Sequence, residues 1–210
     1  MGPLLGVAHV IDAVTGAIGR AMRWVSLFMV LVGVYNVLTR YFYGTLESLV
    51  GIEAARRMTG NTFLELQTYS FDLIFLLAAA HVFRLDGHVR VDILFASYSQ
   101  RAKAVTDLVG TWLFLVPFCV LGIVFSVPYV RRSWETLEMS PNPGGLARYP
   151  IKAAIIVAFA LLLLQAIALT IRHVAFLRGR PDSGSLYASP RPGTDAPGSD
   201  TSTGSAEVRV

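Results

Sequence analysis

Five side chains that carry or can gain charge, Arg84, Asp86, His88, Arg90 and Asp92, fall within one short stretch between two mainly apolar runs. The runs cover about residues 64–83 and 105–130. A helix crosses a bilayer with about 20 apolar residues, and hydrocarbon cannot hold such a cluster of charge. The joint therefore fixes where one crossing ends and the next begins. Two further runs, about 24–43 and 151–171, bring the crossings to four. The chain is 54% hydrophobic and 15% charged, whereas a soluble domain carries about a quarter charged residues. The expected fold class is all-α integral membrane, four transmembrane helices with interfacial amphipathic helices.

Residues 1–20 mix apolar positions with His9, Asp12 and several glycines, a pattern that predicts a short surface helix before the first crossing. Trp24 and the Tyr41-Phe42-Tyr43 cluster sit at the two ends of that crossing, as aromatic belts do. Between 46 and 58, Leu46, Leu49, Val50, Ala54 and Met58 share one helical face, so a second surface helix is expected there. A third is expected at 91–103, from Val91, Leu94, Phe95, Tyr98 and Ala102. Thr62 followed by Glu65 has capping-box spacing at the start of the second crossing. Pro117 predicts a kink in the third, Pro128 its fraying end, and Pro150 the first turn of the fourth. Residues 21–180 form the membrane domain, and 181–210, rich in Pro, Gly, Ser and Thr, read as a disordered tail in water.

Four crossings place both termini on one side. That side carries nine Arg and Lys near the membrane and the other seven, a tilt toward cytoplasmic termini. The basic residues flank apolar runs, which fits membrane anchoring and not nucleic acid. The single cysteine, Cys119, lies in an apolar run and reads as a small buried hydrophobe. Phosphate loops, zinc pairings and nucleophile elbows are absent from the sequence, and Glu135 and Glu138 stand in a polar loop without a pocket.

Asp72 is the sharpest single residue. Counted from Thr62 it lies about 15 Å along the helix, near mid-membrane, where an ionisable group must face protein or water. Glu65, Thr68, Tyr69 and Asp72 share a face. That stripe fits a proton or cation relay, or a contact with a neighbouring subunit. His81 and His173, at the terminus side of their helices, suggest a bis-imidazole haem site as the alternative function, a haem-binding four-helix anchor of a respiratory complex.

Three stretches resemble one family: Glu65-Leu66-Gln67 with Tyr69 and Phe71; Asp86-Gly87-His88-Val89-Arg90-Val91-Asp92-Ile93; and Glu138-Met139-Ser140-Pro141-Asn142-Pro143-Gly144-Gly145-Leu146 running on to Pro150-Ile151-Lys152. In this order between four crossings they are similar to the DctQ-like small membrane subunit of tripartite ATP-independent periplasmic (TRAP) transporters. The resemblance spans about residues 24–178. Thr68 stands where relatives often have Trp, and Ala147 where they have Pro. The resemblance implies a transporter component, not an enzyme, with no cofactor of its own. Its implied partners are a large membrane subunit that carries the substrate and sodium sites and a periplasmic substrate-binding protein. The implied role is a scaffold for sodium-coupled uptake of an organic anion such as a carboxylate, in the bacterial inner membrane with both termini cytoplasmic. The pattern leans toward relatives associated with mannitol or chloroaromatic compounds and with keto or hydroxy acids. Glu65, Gln67, Tyr69 and Asp72 are the expected interface with the large subunit. Asp86, Gly87, His88, Arg90, Asp92, Glu138, Ser140, Pro143, Gly144, Gly145 and Lys152 are the motif positions expected to be structural.

Overall fold

A computed structural model describes residues 2–85 and 99–178. The motif positions Asp86, Gly87, His88, Arg90 and Asp92, most of the expected surface helix at 91–103 and the tail at 181–210 lie outside the described residues.

The order is α1 (Gly2–Tyr41), α2 (Tyr43–Val50), α3 (Ile52–Met58), α4 (Asn61–Arg84), α5 (Gln100–Gly110), a π-helical turn (Thr111–Leu115), α6 (Val116–Glu135) and α7 (Tyr149–Leu177). Among the described residues, four helical stretches are long and apolar enough to cross a membrane, ending in α1, α4, α6 and α7. They match the four crossings expected from the apolar runs.

Residues 1–20 were expected to form a helix apart from the first crossing, but α1 runs unbroken over 40 residues, about 60 Å at 1.5 Å per residue. Two glycines of this stretch lie against α4. A Cβ at Gly19 would stand 2.3 Å from the His81 ring, and one at Gly16 would stand 3.0 Å from the Arg84 guanidinium. Small residues at this spacing let α4 approach α1 closely. The surface helix expected over 46–58 is two pieces, α2 and α3, parted at Gly51, whose φ is +84°.

The third crossing runs from Gln100 to Glu135, started by the Ser99 hydroxyl accepting from Ala102 N–H at 3.3 Å. Pro117 lacks the N–H that an α-helix would need, and the backbone widens just before it. Val116 N–H reaches back to Thr111 C=O in a π-turn, one of the standard ways a helix absorbs such an interruption. Pro128 does not end the helix, which continues to Glu135.

Helices α1, α4 and α7 pack against one another, while α6 packs chiefly on α7. Gly122 of α6 lies against the Phe159 ring, and Phe118 meets the same ring edge-on at 5.7 Å. Among the described residues, no comparable packing joins α4 to α5 or α6. At the terminus end of the bundle a cavity of about 700 Å³ is lined by Phe83, Gly110, Thr111, Phe114, Phe118, Leu169 and His173, among others.

Candidate functional site: a braced loop and a cavity

The connection between α6 and α7 is held from two sides. From α4, Glu65 is buried and both of its oxygens are engaged. Oε1 accepts from the Ser140 hydroxyl and from Asn142 Nδ2 at 2.8 Å, and Oε2 accepts from Leu146 N–H at 2.6 Å. The Thr62 hydroxyl donates to Gly144 C=O, and the Tyr69 hydroxyl approaches Leu146 C=O at 3.5 Å. The capping box expected at Thr62 and Glu65 does not form, because both side chains reach across to this loop. Gly60 is the N-cap instead, without a side-chain cap.

From α7, Lys152 reaches back to Glu138, which also accepts from the Ser133 hydroxyl at 2.8 Å. The Lys152 ammonium lies over the Tyr129 ring, 4.2 Å from its centroid. These two donors hold the Glu138 carboxyl below its usual pKa, Lys152 contributing most. Arg148 N–H to Glu138 C=O at 2.9 Å and Ser140 N–H to Leu146 C=O at 3.0 Å tie the loop across its base. Gly145 is required by close approach, since a Cβ there would meet Ser140 Cβ at 2.5 Å and Glu65 Oε1 at 2.8 Å. Of the expected motif positions, Glu138, Ser140, Gly144, Gly145 and Lys152 therefore meet around Glu65 or beside it. Pro143 is exposed in the same loop.

One residue of the loop goes against local rules. α6 ends with Leu137 N–H bonded to Trp134 C=O and Glu138 N–H to Ser133 C=O, a Schellman ending in which glycine is usual at the first residue beyond the cap. Here that residue is leucine, at φ 45°, a conformation that costs an L side chain about 1–2 kcal/mol. Leu137 is also 62% exposed.

The other end of the bundle holds a second polar cluster, missed from the sequence. Asp12 of α1 pairs with Arg172 of α7 and accepts from Gln165 Nε2 at 3.0 Å. The fully buried Gln165 accepts from the Thr15 hydroxyl at 3.1 Å, and Arg84 of α4 donates to Asp12 C=O at 2.8 Å. Three helices meet in this knot. The available signal was Gln165 itself, a lone amide deep in the fourth apolar run.

Asp72 differs from both carboxylates. Glu65, Tyr69, Asp72, Leu76, Ala79 and Phe83 follow three-to-four spacing and share one face of α4. Glu65 stands under the loop at one end of that face, and Phe83 lines the cavity at the other. Asp72, half-buried between them, makes no hydrogen bond or ion pair with any described residue. Gln67 packs at Gly33 of α1 and borders a shallow cavity there. The expected interface set is thus spread over three settings and does not form one patch. Glu65 lies seven residues from Asp72, about 10 Å of helix rise, with both oxygens already bound, which gives a relay between them no support.

The two histidines face different neighbours. His81 abuts Gly19 of α1, while His173 lies 3.9 Å from Asp107 of α5 beside the cavity. They do not present a common haem face. Among the described residues, no three His, Cys, Asp or Glu side chains gather as a metal site.

A family model described as tripartite ATP-independent periplasmic transporters, DctQ component, matches residues 29–176. No curated protein and no solved structure matches the chain. The match begins within the first crossing and takes in the other three as well as the braced loop and the α4 residues that brace it, so the chain belongs to the DctQ component family of tripartite ATP-independent periplasmic transporters.

Proposed function

We propose that this chain is the small membrane subunit that scaffolds the large transport subunit during sodium-coupled uptake of an organic anion such as a carboxylate. It sits in the inner membrane with both termini in the cytoplasm. The observation that carries the reading is Asp72. A carboxylate near mid-membrane is costly unless paired, and this one makes no hydrogen bond or ion pair with any described residue. A helix of the large subunit seated against this face of α4 would supply a donor. Glu65 acts at this interface indirectly, by fixing the loop between α6 and α7, and Tyr69 stands between the two.

The scaffold reading also suits the rest of the chain. Its other buried carboxylates are satisfied internally, and α2 and α3 at the membrane edge would resist tilt. A subunit that stays level allows its neighbour to move as a rigid body, as alternating access requires.

The test is Asp72→Asn in the co-expressed complex. The yield of large subunit co-purified in mild detergent is expected to fall several-fold, while sodium dependence of residual uptake persists. Normal yield with sodium dependence abolished would make Asp72 a coupling residue and overturn the scaffold role. Transport by the isolated chain in liposomes would overturn it outright.

A further inference from the structure

Where α1 and α4 meet at the terminus end, positive charge collects on one seam. We propose that Arg20, Arg23 and Arg84 form a site for the phosphate of an anionic phospholipid, seated at the membrane edge between these two helices. Arg20 and Arg23 stand about one turn apart on α1, beside the positions Gly16 and Gly19 that meet α4. His81 packs on Gly19 and the Arg84 guanidinium lies on Gly16, so both helices bring basic residues to the same line of contact. Arg84, Arg23 and Arg20 all act electrostatically on the His81 ring, which gathers three guanidiniums around one side chain. That ring is the floor of the seam, its Nδ1 buried without a partner among the described residues.

Charge and depth indicate the occupant. Arg20 and Arg23 are exposed and make no hydrogen bond or ion pair with any described residue. Arg84 gives one nitrogen to Asp12 C=O at 2.8 Å. The Asp12 carboxylate, the one acidic group of α1, is held by Arg172 and Gln165. The carboxylates of α4, Glu65 and Asp72, precede His81 by nine residues or more, about 14 Å of helix rise at the least. Among the described residues, then, no carboxylate is left over to offset these guanidiniums. Trp24, next to Arg23 and 73% exposed, marks headgroup depth as an interfacial aromatic does. Helical side chains lean toward the N-terminus of their helix, which carries Arg20 and Arg23 toward the terminus-side headgroups. A phospholipid brings its phosphate to that depth, where a guanidinium fork can grip it bidentately. Basic clusters between transmembrane helices hold anionic headgroups in this way. The site needs only the four crossings and is independent of the transport role.

The test uses the full chain reconstituted in phosphatidylcholine vesicles, with Trp112→Phe and Trp134→Phe leaving Trp24 as the sole tryptophan. A fixed fraction of the lipid carries bromine on its acyl chains, which quenches a neighbouring tryptophan and so reports relative affinity. Brominated phosphatidylglycerol is expected to bind beside Trp24 about tenfold or more tightly than brominated phosphatidylcholine, the scale set by two arginines facing anionic lipid. Arg20→Gln/Arg23→Gln should remove that preference, while emission in plain phosphatidylcholine stays unchanged and shows the fold intact. Arg20→Lys/Arg23→Lys, which keeps the charge without the fork, should retain part of it. Arg84 is left in place because it also ties α4 to Asp12. Equal quenching by both lipids in the parent chain, or a preference that survives the glutamine variant, would overturn the proposal. So would loss of the preference in millimolar inorganic phosphate, which would make the cluster a site for soluble phosphate. In the co-expressed complex the glutamine variant should leave the yield of large subunit unchanged. A yield that collapsed would overturn the lipid site and assign these arginines to the protein interface.

Discussion

The two ends of this bundle each hold a carboxylate satisfied by distant parts of the chain, yet the two do different work. At the terminus end, Asp12 joins helix to helix, drawing Arg172 and Gln165 of α7 and the Arg84 guanidinium of α4 onto α1. At the loop end, Glu65 joins a helix to irregular backbone, accepting from Ser140, Asn142 and Leu146 N–H. The first is a staple between rigid elements that already pack. The second gives shape to a segment that prolines and glycines keep from becoming helix. Removing the staple should therefore cost global stability, whereas removing the brace should cost local order.

Asp12→Ala is the largest expected effect. It leaves the Arg172 guanidinium, with only 20% of its side chain exposed, without its counter-charge, and breaking such a pair costs about 3–5 kcal/mol. Thermal unfolding in detergent should register that loss, together with faster proteolysis of the first turns of α1. The double variant Asp12→Leu/Arg172→Met should recover most of the stability, because apolar replacement of a whole buried pair is often neutral. A single variant as stable as the parent would show that the staple contributes nothing.

Glu65→Ala comes next. Leu146 N–H and the Asn142 amide lose their acceptor, at about 1–3 kcal/mol, and the loss should stay local. Limited proteolysis between residues 136 and 148 should accelerate while the melting of the helices moves little. Glu65→Gln, which keeps the shape but only one acceptor oxygen, should fall between. If the helices melted early and the loop stayed protected, the division of labour between the two ends would be reversed.

Much of this fold was legible because a bilayer allows few solutions. Apolar runs of about 20 residues must be helices, and the four runs are the four spanning helices. Where the reading fell short, the cause was pairing over long sequence distances. Asp12 and Arg172 are 160 residues apart, and Glu65 and Leu146 are 81 apart. Periodicity reports which residues share a face of one helix, not what that face meets. Thr62 and Glu65 had capping-box spacing, but the loop was the stronger competitor for both side chains. Gly16 and Gly19 of α1 give no contact signal in one dimension and are contact points for α4 in the folded chain. Glu138, Ser140, Gly144, Gly145 and Lys152 could be picked out as a group from the resemblance, but the gathering of Ser140 and Gly145 at Glu65, of Gly144 at Thr62, and of Lys152 at Glu138 is a property of the folded chain.

The smallest expected effect probes the second brace, at Glu138. Its carboxyl titrates below the usual value because the Lys152 ammonium and then the Ser133 hydroxyl stabilise the charged form. A group whose folded pKa is depressed contributes stability that is fully present above its unfolded value, about 4.3 for glutamate. That contribution disappears as pH falls through the folded value. Loop protection should hense be flat from neutral pH down to about 5 and decline only below the unfolded value. The measurement is proteolysis by an acid-stable protease in a Glu65→Gln background, so that only one of the two bracing carboxylates titrates. Lys152→Met should move the decline toward higher pH, and Ser133→Ala should move it less, following the order of the two donors. A decline unaffected by either substitution would mean that the acid lability of the loop arises outside this brace, and that the loop end depends on Glu65 alone.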